Sequence, residues 1–326
     1  MQPLNPHTPL QVFLNDTSPH PQPILVTGAH RTGTTWVGRM LAAGDAVTYI
    51  SEPLNVLHRP GVMRVPVKHW YPYICEENEA EYLPALRETL CFRYHTWAEI
   101  RSLRSRKDLL RMGRDWSSFL RGQVSGHRPL LKDPFAVFSI PWFIERLGCQ
   151  VVVTVRHPAA FASSLKRLGW PFNYQDLLSQ PLLMRDWLEP YRAEMEAILR
   201  TPQDIIEGSR LLWRMVYQVV SACCRRFPQV RMARHEDLSL EPVEGYRALY
   251  ASLDLPFTSK VEAVILNSSS SENPKELSKK KVHAVQLDSR SNLHNWKRRL
   301  SLEEVGRVRV MTADLAAEYY PDTDWD

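Results

Sequence analysis

Apolar residues recur in short runs separated by polar, helix-patterned stretches. Residues 24–28 (ILVTG) are apolar and end in glycine, the pattern of a buried strand feeding a turn. From Thr34 to about Ala43, Trp36, Val37, Met40 and Leu41 fall at helix-face spacing. Further strands are predicted at 46–50, at 129–132 (PLLK) and at 150–155 (QVVVTV). The last is nearly continuous valine, as expected inside a parallel sheet. Short amphipathic helices are predicted at 138–147 and 158–169, and longer ones at 183–200 and 204–226. A strand follows at 229–233 and a final helix runs from Leu302.

Strands alternating with helices imply βαβ units, hence an α/β fold: one domain over 24–326, a central parallel sheet flanked by helices. Residues 60–125 interrupt the rhythm with aromatic and arginine-rich helical sequence, read as an insertion over the sheet edge that shapes a ligand site. Residues 1–23 are proline-rich and polar, a flexible lead-in. Residues 267–282 (NSSSSENPKELSKKKV) are serine-rich and then basic, a mobile loop.

Composition narrows the function. The 326 residues are 44% hydrophobic and 10% aromatic, enough for a large core. A net charge of +5 suits anionic ligands but not the coating of nucleic acid, and no nucleic-acid recognition motif occurs. Five cysteines without a C-x-x-C pair argue against a zinc site or disulfide framework and for reduced thiols in the cytoplasm. No apolar run reaches membrane-spanning length, and the N-terminal stretch lacks a signal-like core.

The chemistry is concentrated in "GAHRTGTTW". Gly28 and Gly33 bracket four residues between a strand and a helix, a turn that offers backbone N–H groups and a helix dipole to an anion. A triphosphate loop would continue with Lys and then Ser or Thr. Here Thr34 and Thr35 follow, and the nearest cation is Arg31. A metal-dependent nucleotide kinase also needs an acidic residue ending a neighbouring strand. The valine-rich strand ends instead in Arg156, and Asp133 stands between Lys132 and Pro134. A kinase and a non-enzymatic nucleotide-binding adaptor remain as alternatives.

Together, "HRTGTTW" and "VVVTVRHPAAFASSLKRL" resemble the two cofactor signatures of the sulfotransferases that use PAPS (3′-phosphoadenosine 5′-phosphosulfate). The resemblance implies a P-loop-like domain in which Arg31, Thr32, Gly33, Thr34 and Thr35 wrap the phosphosulfate. It also implies that Arg156, with Ser164 eight residues later, grips the 3′-phosphate. A two-pronged guanidinium at a strand end and a hydroxyl two turns along the next helix can face one phosphate. "PLLKDPF", "RHEDLSLEP" and "SRSNLHNWKRRLS" resemble later landmarks. The last implies closure over the nucleotide by Arg290, Trp296 and Lys297, whereas Glu236–Leu238 carries no assigned chemistry. PAPS is the implied sulfate donor, and no metal is required.

Cytosolic members carry a catalytic histidine two residues after the strand-end lysine, a position held here by Pro134. The chain is closer to the tyrosylprotein, carbohydrate and bacterial enzymes, which use a glutamate about twenty residues after the loop cation. Glu52 lies 21 residues after Arg31. The resemblance therefore implies Glu52 as general base, with Lys132 and Arg31 stabilising the leaving group. His30, His58 and His157 are rivals for the base.

For the acceptor, His58 and Arg59 in "HRPG" and Trp70 and Tyr71 in "KHWYPYI" are candidate contacts. Aromatic faces suit a sugar ring, and the basic run 101–114 suits an anionic glycan. The expected acceptor is a carbohydrate hydroxyl, with a small lipid, polyketide or phenolic hydroxyl as the alternative.

Overall fold

The computed structural model describes residues 22–200, 204–276 and 284–325. Strands β1 (Ile24–Gly28), β2 (Val47–Ser51), β3 (Arg128–Lys132), β4 (Gln150–Val155) and β5 (Arg231–Arg234) pair in parallel as one sheet, ordered β2-β3-β1-β4-β5. Their side chains alternate between two apolar layers. Leu25, Leu131, Val151 and Val153 point into one core, and Ile24, Val26, Leu130 and Val152 into the other. Helices cover both faces, which explains why these strands read as continuous apolar runs.

The chain winds to one side of β1 for β2 and β3, then to the other for β4 and β5. In such sheets the crevice beyond the strand carboxyl ends, beside the reversal, takes ligands. β1 leads there through residues 29–33 into α1 (Thr34–Leu41), and β4 through Arg156 and His157 into α6 (Pro158–Leu168). β3 runs into a 3₁₀ turn at Pro134–Ser139 and then α5 (Ile140–Leu147).

Between β2 and β3, residues 60–78 are irregular, followed by α2 (Glu79–Leu90), α3 (Thr96–Ser102) and α4 (Arg106–Val124). Glu99, only 2% exposed, ties this region to the loop after β2. One of its carboxylate oxygens pairs with Arg59 and the other accepts from the Gly61 amide at 2.8 Å.

The helix expected over 183–200 is corrected. It breaks into a π turn at Met184–Leu188, a 3₁₀ turn at Glu189–Tyr191 and an α-helix over Arg192–Arg200. Pro190 cannot donate to the preceding turn, and its ring crowds the carbonyl four residues back. The helix expected from 138 starts at Ile140, behind the proline-led 3₁₀ turn. Of the lead-in, residues 1–21 lie outside the described residues, and the Pro23 carbonyl accepts from Gln150 at 2.8 Å. Of the loop expected over 267–282, residues 267–269 close the helix Ser259–Ser269, and residues from 277 lie outside the described residues. Among the described residues, no helix is long and apolar enough to cross a membrane.

Candidate active site

Two glycines set the turn after β1. Gly28 has φ +135°, and a Cβ there would lie 2.4 Å from the Thr154 carbonyl oxygen, so only glycine lets β1 run this close to β4. Gly33 has φ +100°, and its Cβ would meet His235 Nδ1 at 2.8 Å. Between them Arg31 is itself left-handed, with φ 69°. The buried Thr32 hydroxyl donates to the Ala29 carbonyl at 2.5 Å and bonds Thr154 Oγ1 at 2.8 Å. Thr32 therefore holds the turn from below and does not face the crevice. Thr34 and Thr35 open α1, where free N–H groups and the helix dipole favour negative charge.

A cavity lies over this turn. Arg31, Gly33, Thr34 and Thr35 form one wall, and Arg156 and Ser164, more than a hundred residues away in sequence, form another. Arg31 Nε donates to Ser164 Oγ at 3.4 Å, and Arg156 donates to the Arg31 carbonyl at 3.3 Å. Arg156 Nε is buried without a partner. Arg167 and Arg299 add two more guanidiniums, both paired with Glu276 at 3.2 and 2.9 Å. Burial, then the charges of Arg156 and Arg167, pull the Arg31 pKa down to about 10. Burial likewise lowers that of Arg156. Among the described lining residues, four guanidiniums face one carboxylate, an excess that calls for a multiply charged anion. Trp36, Val285 and Leu287 supply apolar wall suited to a flat heterocycle.

The C-terminal segment reaches this cavity through residues other than those expected. Ser289, Asn292 and Arg299 line it, whereas Arg290, Trp296 and Lys297 do not. Residues 289 and 292 are three apart on one helical turn and share a face. Arg290 therefore points away, donating to the Leu240 carbonyl at 2.6 Å and to Glu241 at 3.1 Å. Trp296 is buried and stacks on His157, with ring centroids 5.3 Å apart, and Lys297 lies over its outer side. His157 sits among Trp296, Tyr320 and Trp325, and burial pushes its pKa down to about 3. Glu236 accepts from the His157 amide at 3.0 Å and from the Tyr320 hydroxyl at 2.9 Å, fixing the start of α6 beside Arg156.

Two further cavities meet at Glu52. This residue follows β2, with φ 48° and its amide bonded to the Lys132 carbonyl at 2.8 Å. Its carboxylate pairs with the buried Lys132 ammonium through one oxygen and accepts from Asn55 Nδ2 at 2.6 Å through the other. Asp133, buried behind it, accepts from the Leu54 amide at 2.6 Å and the Phe135 amide at 3.0 Å. Burial, then the Glu52 charge, pushes the Asp133 pKa up to about 7. On one side of Glu52 lies an apolar lobe walled by Trp70, Phe135, Trp170 and Phe172. On the other lies a polar lobe walled by Arg39, His58, Arg59, Arg111 and Arg114. Arg31, Thr34 and Thr35 belong both to the apolar lobe and to the anion cavity.

Of the acceptor-side candidates, Trp70, His58 and Arg59 reach a cavity wall. Arg59 is also committed to Glu99 and, at 3.2 Å, to Asp115. Tyr71 is fully buried below the wall, where its hydroxyl accepts from the His30 amide at 3.0 Å and bonds His30 Nδ1 at 2.6 Å. His30 lines the apolar lobe, and burial followed by the Arg31 charge lowers its pKa to about 4, so its imidazole is neutral. Sequence reasoning did not anticipate Asn55, Trp36, Arg167, His235, Trp170 or Phe172. "GWPFNY", directly after α6, was the available signal for the last two, an aromatic cluster where a helix ends at the crevice.

A family model described as the sulfotransferase family matches residues 23–259. No curated protein matches the chain by sequence. The sulfotransferase domain of the Synechococcus PCC 7002 olefin synthase is 16% identical, covers 94% of this chain and 97% of its own, and has a TM-score of 0.49. The sulfotransferase domain from the curacin biosynthetic pathway is also 16% identical, with 91% and 99% covered and a TM-score of 0.47. Sulfotransferase STF9 from Mycobacterium avium is 15% identical, with 93% and 78% covered and a TM-score of 0.45. With the family pattern spanning most of the chain, from β1 through β5, the protein belongs to the sulfotransferase family.

Proposed function

We propose that the chain moves the sulfuryl group of PAPS to an acceptor hydroxyl, with Glu52 as general base. The observation that carries this reading is the shared wall: Arg31, Thr34 and Thr35 separate the anion cavity from the lobe that contains Glu52. PAPS, when bound, supplies a sulfuryl group joined to a phosphate leaving group. The cavity's residues fit it. Arg156, with its unpartnered Nε, and Ser164 would hold the 3′-phosphate, the turn amides with Thr34 and Thr35 the phosphosulfate, and Trp36 the purine.

Glu52 is oriented by two donors, Lys132 and Asn55, and lies at the junction of both acceptor lobes. In that position it takes the proton of an entering hydroxyl, a role that contributes roughly two to four orders of magnitude in rate. Neutralising Glu52 would free the Lys132 ammonium from its ion pair, so that Lys132 and Arg31 would be the two cations available to stabilise a leaving group. The five cysteines are free, in keeping with a cytoplasmic enzyme.

The acceptor is a carbohydrate hydroxyl, its ring stacked in the aromatic lobe and its polar or anionic substituents in the arginine-lined lobe. The apolar wall of Trp70, Phe135, Trp170 and Phe172 equally favours a small lipid, polyketide or phenolic hydroxyl. Incubation with sulfate-labelled PAPS over a panel of glycans and small alcohols tests the reading. Label should pass to one hydroxyl class in wild type and not in Glu52→Gln. Undiminished transfer by that variant removes Glu52 as the base.

A further inference from the structure

Helix α4 turns an apolar side to the outside. Leu109, Leu110, Trp116, Leu120 and Val124 are 54, 77, 46, 43 and 78% exposed, while Phe119 and Gly122 are its buried residues. At 3.6 residues per turn, Leu109, Trp116, Leu120 and Val124 fall in one stripe about 80° wide, with Leu110 at its margin. Lys107, Arg114 and Arg121 follow along the adjoining flank. The preceding helix α3 exposes Trp97 and Ile100 as well, at 77 and 41%.

Charge is as unbalanced as hydrophobicity. Residues 97–124 carry seven lysines and arginines against three carboxylates. Those three are engaged: Glu99 and Asp115 with Arg59, and Asp108 with Ser105 and the Arg104 amide. A solvated helix shows charge to water and buries its leucines. α4 instead presents leucine, tryptophan and valine outward with cations alongside, the arrangement of a helix lying in a lipid headgroup layer. Apolar side chains then enter the acyl boundary, and lysine and arginine meet anionic headgroups. A second copy of the chain fits poorly, because a two-fold contact through this face would bring the Lys107 and Arg121 flank of one copy against the same cations of the other.

We infer that the outward face of α4 docks on an anionic lipid surface. The inner side of the same helix lines the polar lobe through Arg111, Arg114 and Ser118, next to Glu52. Docking therefore holds that lobe one helix diameter, ~10 Å, from the headgroup layer, and favours as acceptor a carbohydrate hydroxyl carried on an extended lipid headgroup. That last step rests on the sulfuryl-transfer reading, but the docking does not.

The test is sedimentation of the full chain with vesicles, phosphatidylcholine alone against phosphatidylcholine mixed with phosphatidylglycerol. Binding to the mixed vesicles should exceed binding to the neutral ones by about tenfold or more and weaken as salt is raised. Leu110→Asp with Val124→Asp, and separately Lys107→Glu with Arg121→Glu, should each lower it about tenfold. All four positions are exposed, so melting temperature and product-nucleotide binding should stay unchanged and report an intact fold. Equal binding by the variants, or no vesicle binding by wild type, overturns the inference. So does a dimer dissociated by Leu110→Asp, or capture by polyglutamate, in the absence of vesicle binding. Because no turnover is read, failure here leaves sulfuryl transfer untouched, and failure of transfer leaves docking untouched.

Discussion

The anion cavity and the acceptor lobes share a wall but are built differently. The anion cavity hangs from strand ends: β1 delivers Arg31, Thr34 and Thr35, β4 delivers Arg156, and α6 delivers Ser164. Its tolerances are set by the Thr154 carbonyl against Gly28 and the His235 ring against Gly33, which leave no room for a Cβ at either position. The acceptor lobes are instead walled by loops after β2 and α6 and by the inner side of α4. Glu52 and Lys132, at the ends of β2 and β3, with Tyr49, Ile50 and Ser51 of β2 beside them, bring sheet-level precision to one wall of that side. A donor shared across a family calls for the first kind of construction, and an acceptor that varies between members is accommodated by the second.

This division can be broken first at Glu52. Glu52→Gln keeps the shape and should lower turnover by roughly two to four orders of magnitude while leaving product-nucleotide affinity within about threefold. A matching loss of nucleotide affinity would show that the two sides are not separable. The converse variant, Arg156→Ala, should weaken product-nucleotide binding by roughly tenfold to a hundredfold, the worth of hydrogen bonds to a charged group. Calorimetry checks it, and unchanged affinity would remove Arg156 from the anion site.

A third test concerns the packing behind the anion cavity. His157 is buried with both ring nitrogens unpartnered, and its folded pKa, about 3, lies below the ordinary value of 6.5. The unfolded chain takes up the proton first, so this contribution to stability is intact above pH 6.5 and is lost as pH falls toward 3. His157→Phe removes the titration and keeps the aromatic contacts. Its stability relative to wild type should improve by up to ~1.4 kcal/mol per pH unit below pH 6.5, as read by denaturant melts at pH 7 and pH 5. A gap that does not change with pH would mean the ring is not held neutral. The smallest effect is expected at the rim. Trp170→Ala should raise the acceptor KM by roughly threefold to tenfold, the worth of one aromatic contact, with kcat and nucleotide affinity nearly unchanged.

The same contrast explains what could be read from the residues alone. Strand positions and order of elements were legible because buried parallel strands leave runs such as QVVVTV, and Gly-x4-Gly leaves a fixed spacing. That Arg31, Arg156 and Ser164 would wall one cavity, with Glu52 in the lobe beside it, was legible because each stands at a set distance from such a landmark. Arg290, Trp296 and Lys297 were not, since which face of a short helical turn meets a cavity depends on packing. Here His157 takes Trp296 into the core and leaves Arg299 at the cavity. Tyr71 illustrates the same limit: an aromatic beside a loop reads alike whether it lines a pocket or, as here, supports His30 from beneath. The break near Pro190 was visible in the sequence but was outweighed by the helical pattern on either side of it.

The central claim, a metal-independent sulfate-donor site set against a separate base, is tested most directly by calorimetric titration with 3′-phosphoadenosine 5′-phosphate in the presence of EDTA. The account expects saturable one-to-one binding in wild type, the same binding in Glu52→Gln, and a loss of roughly tenfold or more in Arg156→Ala. Absence of binding in wild type, or binding that appears only when a divalent metal is added, would contradict it.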